Sequence, residues 1–182
     1  MAMPSVIIDL TAQLENPGEA QSFTGDVSLD SYTIGERTLV LAQGLSYDLV
    51  LTNAGNGILL SGLVRAQAQT SCDRCLDEAF LDIAAEIEEF YLFEEQDVRD
   101  DDEDGFELFP QDRILDVSLP LLDALIMETP FVVLCSNDCA GLCPHCGINL
   151  NKESCSCELD RRAESRDNPF AALKDLHFEK ES

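Results

Sequence analysis

Alternation of apolar and polar positions dominates the first half of the chain. Leu45, Tyr47, Leu49 and Leu51 fall on every second position, as do Ile58, Leu60, Gly62 and Val64. That period puts the side chains of each run on one face of a strand. Between the runs, "NAGNG" at 53–57 has turn chemistry, so together they predict a hairpin. The second strand is expected to continue through Ala66, Ala68 and Thr70 to "CDRC" at 72–75. Beyond it Leu81, Ile83, Ala85, Ile87, Tyr91 and Phe93 alternate with Asp82, Glu86 and Glu88, interrupted only at Glu89. Phe80, Ile83, Ile87 and Phe90 also fit a helical period, but the longer alternating run favours a strand.

The flanking regions are less regular. A short strand is expected over residues 6–10, and between 17 and 38 Gly, Pro, Ser and Asp leave loops with one weak strand. Asp116 or Ser118 is a candidate cap for an apolar helix reaching about Glu128. Leu121, Leu122, Leu125 and Ile126 form its buried stripe, Pro120 fits its first turn and Pro130 stops it. "FVVLC" at 131–135 then leads into a cysteine-rich stretch. In "DNPFAALKDLHF" at 167–178, Asn168 reads as an N-cap and Pro169 as the first helical residue. Phe170, Leu173 and Leu176 share one face of that short closing helix.

Charge changes the picture. The 182 residues hold 11 Lys+Arg and 36 Asp+Glu, for a net charge of −25. Residues 1–150 carry five basic and 28 acidic side chains, or −23, whereas residues 151–182 carry six and eight, or −2. Nine acids and one Arg crowd "EEQDVRDDDEDGFE" at 94–107, which predicts a solvated acidic loop. Nucleic-acid affinity rests on cations that displace counterions, so direct RNA binding by the acidic body is disfavoured. A basic protein partner suits it better. No basic residue precedes Arg37, so neither a secretory nor a mitochondrial leader is expected. The expected setting is the cytoplasm, where thiols stay reduced and clustered cysteines are more often ligands than disulfides.

The eight cysteines come in four close pairs: Cys72 and Cys75, Cys135 and Cys139, Cys143 and Cys146, Cys155 and Cys157. In "CPHCG" the turn aims both sulfurs inward, and Gly147 can take the left-handed conformation that closes such a knuckle. Cys155 and Cys157 are two apart, so an extended backbone points both to one side. Cys143, Cys146, Cys155 and Cys157 therefore predict a closed tetrahedral zinc site with no position left for a catalytic water. Cys72, Cys75, Cys135 and Cys139 could make a second cage, giving two zinc ions rather than one. Alternatively Cys139 joins the leading cage in place of Cys155 or Cys157, and His145 is another substitute ligand. A thiol redox or metal-handling role for the Cys-x2-Cys pairs is the competing function, though Cys72 and Cys75 lie between strands and not at a helix start. No phosphate loop, dinucleotide fingerprint or HExxH is present, and His177 reads as a surface or packing residue.

The expected fold class is α+β. An antiparallel β-rich N-terminal portion is followed by an apolar helix, a small Cys-rich zinc-knuckle segment and a short C-terminal helix. Residues 1–134 would form the β-rich body with its acidic loop at 94–107, and 135–182 the Cys-rich metal-binding segment and closing helix. The order of "CDRCL", the acidic middle, the apolar helix, "CAGLCPHCGINLNKESCSC" and "NPFAALKDL" resembles the YceD family, the large ribosomal RNA subunit accumulation proteins of bacteria and plastids. The resemblance implies a non-catalytic cytoplasmic factor in the synthesis, processing or stability of large-subunit ribosomal RNA. It carries over no catalytic residues and makes any metal a stabiliser. Expected partners are ribosome assembly intermediates, through a basic ribosomal protein or large-subunit rRNA, with no membrane involved.

Overall fold

The computed structural model describes residues 3–10, 13–94 and 107–157. Residues 95–106 of the acidic block, the expected closing helix at 168–176 and His177 lie outside the described residues. Among the described residues the architecture is mostly antiparallel β-sheet with one short helix and a Cys-rich region, an arrangement of the α+β kind.

The long hairpins form the centre of a six-stranded sheet. Strands β2 (Ala20–Val27), β4 (Arg37–Asn53), β5 (Gly57–Ser71), β6 (Glu78–Leu92) and β7 (Glu107–Leu108) lie side by side in that order. Strand β3 (Ser31–Ile34) pairs with the first residues of β4. Among the described strands only the β6–β7 pair is parallel. A second, two-stranded sheet joins β1 (Ile7–Asp9) to β8 (Ile114–Asp116).

Two of these strands occupy the region where the sequence suggests loops and one weak strand. β2 is an edge strand with only Val27 buried, so it has no apolar alternation to read. β4 is also much longer than its Leu45–Leu51 run suggests. Its register slips between Leu41 and Leu45, where Leu41 faces Ala68 and Leu45 faces Ala66. Gly44 sits in that bulge at φ +70°, with a carbonyl of Val27 so close that a Cβ would overlap it.

One face of the sheet is covered. Leu49, Leu51, Ile58, Leu60 and Val64 are fully buried there, together with Leu121 and Leu125 of the helix α1 (Ser118–Glu128). Each such side chain contributes roughly 1.5–3 kcal/mol through removal from water. The residue before α1 is Val117, without a side-chain capping bond, while Asp116 accepts hydrogen bonds from the N–H groups of Ser118 (2.9 Å) and Val6 (3.3 Å). Burial raises the Asp116 pKa, but these bonds outweigh it and hold the carboxyl below its ordinary value. At the far end the Thr129 hydroxyl donates to the Leu125 carbonyl at 2.7 Å, leaving Tyr32 of β3 to donate to Thr129 at 2.7 Å. The helix is thus fixed at both ends. That places the chain leaving it, from Pro130 onward, beside the turn between β5 and β6.

Candidate metal centres

Two cysteine quartets assemble next to each other. Cys72, Cys75, Cys135 and Cys139 form a hairpin cluster at the β5–β6 turn, and Cys143, Cys146, Cys155 and Cys157 form a distal cluster. In each, the four Sγ atoms all lie within 4.8 Å of one another.

The two begin with the same backbone turn. In the hairpin cluster the N–H of Leu76 donates to the Cys72 carbonyl at 3.0 Å, and that of Cys72 to Asp77 at 2.7 Å. In the distal cluster Gly147 donates to Cys143 at 2.8 Å, and Cys143 to Ile148 at 2.8 Å. The residue after the second cysteine is left-handed in both, Leu76 at φ +63° and Gly147 at +74°. The "CDRCL" turn therefore builds its knuckle with a leucine in the glycine position.

Local sequence cannot bring Cys135 and Cys139 to Cys72 and Cys75, because 60 residues separate Cys75 from Cys135. Asp73 makes the connection. Its N–H donates to the Val133 carbonyl (2.9 Å), and its carboxylate accepts the Val133 N–H (2.6 Å) and the Arg37 guanidinium (2.5 Å). Arg37 also donates to the Phe131 carbonyl, fixing the chain as it leaves α1. Cys72, Cys75, Cys139, Val133 and Ala79 then form a small buried cluster of their own. Cys139 belongs here and not with Cys143, and His145 is exposed and outside both quartets.

The distal cluster is more open. Cys143 is buried, Cys155 and Cys157 are half-buried and Cys146 is exposed. Its intervening loop folds back over the hairpin cluster. Asn151 donates to Cys139 Sγ (3.4 Å) and accepts the Ala140 N–H (2.7 Å). Asn149 (2.8 Å) and Lys152 (2.8 Å) both donate to the Asp77 carboxylate. Arg74 holds the link between clusters: its guanidinium donates to the Cys139 carbonyl (3.1 Å), and its own carbonyl accepts the Leu142 N–H (3.0 Å). No motif in the sequence singles out these partners. The only hint is the polar spacing of "NLNK", which alternation leaves ambiguous with a plain loop.

Distances identify what the thiols can do. Cys72 and Cys139 sulfurs are 3.7 Å apart and those of Cys75 and Cys135 3.5 Å, far beyond a disulfide bond of about 2 Å. Four sulfurs on a tetrahedral ion at about 2.3 Å would be about 3.8 Å from one another. The quartets could hold metal ions. The electrostatics point the same way. For Cys72, burial raises the thiol pKa, but backbone N–H groups of Cys135, Cys75 and Arg74 outweigh it and bring it to about 6. Backbone N–H groups of Cys146 and His145 likewise bring Cys143 to about 6. The Asp77 backbone favours the Cys75 thiolate, yet burial and the neighbouring thiols overcome it and push Cys75 to about 12. Cys146 and burial push Cys157 to about 12. Each quartet thus stabilises one thiolate and resists a second, a conflict that a cation at its centre removes.

A β-sheet body bearing two tetracysteine clusters is the class of protein that the fold and these sites define. The family model described as large ribosomal RNA subunit accumulation protein YceD matches residues 60–177, and the chain belongs to that family. An uncharacterized protein of Mycobacterium tuberculosis is 31% identical over 125 residues, covering 66% of this chain and 59% of the relative. The Zea mays protein called large ribosomal RNA subunit accumulation protein YCED homolog 1, chloroplastic, is 30% identical over 159 residues, covering 72% of this chain and 53% of its own length. Its Arabidopsis thaliana namesake is 29% identical over 79 residues, covering 43% of this chain and 24% of its own. The chain therefore spans little more than half the length of the first two of these relatives. No solved structure matches it. Among the described residues, no helix is long and apolar enough to cross a membrane.

Proposed function

We propose that the protein is a non-catalytic cytoplasmic factor in large ribosomal subunit biogenesis, supporting the synthesis, processing or stability of large-subunit ribosomal RNA. Family membership is the observation that carries this reading. In it, both quartets hold structural zinc, with Cys72, Cys75, Cys135 and Cys139 on one ion and Cys143, Cys146, Cys155 and Cys157 on the other. Full thiolate shells leave no open coordination position, in keeping with a scaffold and not a hydrolase. The burial of Cys72 (0% exposed) and Cys75 (3%) argues against the redox alternative at that pair, which needs an accessible nucleophile.

The partners are assembly intermediates of the large subunit, through a basic ribosomal protein or the rRNA. Affinity capture from cells at moderate salt, with metal measured on the same sample, tests both halves. Large-subunit components and two zinc equivalents per chain are expected. Capture free of ribosomal components, with mature large-subunit rRNA unchanged on depletion, would overturn the assembly reading. Metal-free native protein with fast-reacting thiols would overturn the zinc reading.

A further inference from the structure

Among the described residues, the helix and the small sheet cover only one of the large sheet's two faces. On the other face Asp26, Asp48, Asp82, Glu86, Glu88 and Glu78 project from β2, β4 and β6. Its one cation among the described residues is Arg65 of β5. Amide side chains partner two of these acids: Gln67 donates to Asp82 (2.8 Å) and Gln69 to Glu78 (3.0 Å). No cation pairs with any of the six among the described residues.

The reason lies in where the cations went. Five Lys and Arg residues fall among the described residues. Arg37 is held by Asp73, Lys152 by Asp77, Arg74 by the Cys139 carbonyl, and Arg113 by the carbonyls of Leu10, Gln13 and Leu14. Four of the five already have partners within the fold, so the described residues offer little to set against phosphate. Arg65 alone is left, and it sits on the acidic face beside Asp26 and Asp82.

Apolar side chains lie beside the acids on this face. Leu63 lies between Asp48 and Glu86 on the flanking strands, and Leu59 between Thr52 and Phe90. Val50, Leu59 and Leu63 are half-buried, and Phe90 keeps 39% of its surface exposed. Asp48 on β4 and Glu86 on β6 therefore flank Leu63, about 10 Å apart at two strand spacings, with Glu88 beside Ser61 and Leu59 next along β5. A flat partner with cations bordering apolar side chains complements this pattern in both charge and shape.

We propose that this uncovered face docks a cationic, amphipathic protein segment, with Leu59 and Leu63 under its apolar side chains and Asp48, Glu86 and Glu88 pairing its Lys or Arg residues. The surface stands on charge and geometry. Only the partner's origin, a basic protein of the large subunit, rests on the reading under Proposed function.

The test is an amide-shift titration of the full zinc-loaded chain with a synthetic peptide alternating Arg and Val, alongside its Glu-for-Arg counterpart and a single-stranded RNA. Shifts concentrated at 46–52, 59–65 and 84–90 with the Arg peptide alone are expected. Combined Asp48→Asn, Glu86→Gln and Glu88→Gln, isosteric and exposed, should weaken that binding by about tenfold or more while leaving the far-UV spectrum unchanged. Shifts confined to 95–106 or to the cysteine clusters, unaltered binding by the triple variant, or RNA binding on this face would each overturn the proposal. Cells carrying the triple variant separate the two readings. Lost peptide binding with normal large-subunit rRNA would leave the surface standing and remove its link to the ribosome.

Discussion

Cys72-x2-Cys75 and Cys143-x2-Cys146 form knuckles with the same two backbone hydrogen bonds and the same left-handed residue, yet they stand in different surroundings. The hairpin cluster buries three of its four cysteines and has a small apolar core around it. The distal cluster buries only Cys143. The hairpin cluster ties strands to the segment after the helix, across 60 residues of sequence. The distal cluster closes a short local loop, and that loop's polar side chains reach over its neighbour. Identical knuckles can therefore do unequal work. What a metal would stabilise depends on how far apart in sequence its ligands lie, not on the turn that presents them.

The widest gap between the clusters should appear on losing a ligand. Cys72→Ser is expected to release one metal equivalent and lower the Tm by roughly 10 °C or more, because the sheet end and the 131–139 segment lose their junction. Cys155→Ser should also release one equivalent but move the Tm by less than about 3 °C. Calorimetry with metal analysis checks both, and equal shifts would break the comparison.

The next effect concerns reach. Asn151→Ala should weaken metal retention at the hairpin cluster by roughly tenfold, although Asn151 lies in the other cluster's loop, because a ligand's hydrogen-bond partner tunes its metal affinity. Competition with a chromophoric chelator measures it. Unchanged retention would mean the clusters only touch.

The left-handed position sharpens the comparison further. Gly147→Ala is expected to cost about 1 kcal/mol, since a Cβ is strained at that φ even where no neighbouring atom lies within 4 Å. Leu76→Gly should do the reverse and gain about 0.5 kcal/mol, relief of strain exceeding the added freedom of the unfolded chain. Urea midpoints decide, and a loss on Leu76→Gly would show that this exposed leucine is held by something besides its backbone. The smallest effect belongs to Lys152→Ala. Its pair with Asp77 is solvent-exposed, so the midpoint should move by no more than the scatter of repeated unfolding curves.

These differences also explain what could be read in advance. The alternation of Ile83, Ala85 and Ile87 against Asp82, Glu86 and Glu88 is strong enough to place β6, because one face is buried and the other wet. β2 escapes notice because an edge strand with one buried residue needs no such pattern. β4 loses its first half to the bulge at Gly44. The grouping of the distal quartet is legible because its cysteines are close in sequence and "CPHCG" marks its own turn. The hairpin quartet is a property of topology: it depends on a β-hairpin tip and a helix end meeting through Asp73 and Val133, which no local spacing encodes. Leu76 illustrates the same limit, since a leucine gives no hint of a left-handed backbone.

The separation of Cys75 from Cys135 has a consequence for the order in which the protein is made. At ribosomal rates of roughly 5–20 residues per second, the two thiols of the β5–β6 turn emerge about 3–12 s before their partners. During that interval the hairpin can pair, but its tip holds only half a coordination shell. Asn151 follows 12 residues after Cys139. The sheet can thus form early, while the junction that locks its end is completed only when nearly all of the described chain has emerged. For the quartet to take up one metal ion, Cys72 and Cys75 would have to stay reduced and unclaimed until then, with oxidants or competing metals at their best opportunity during synthesis.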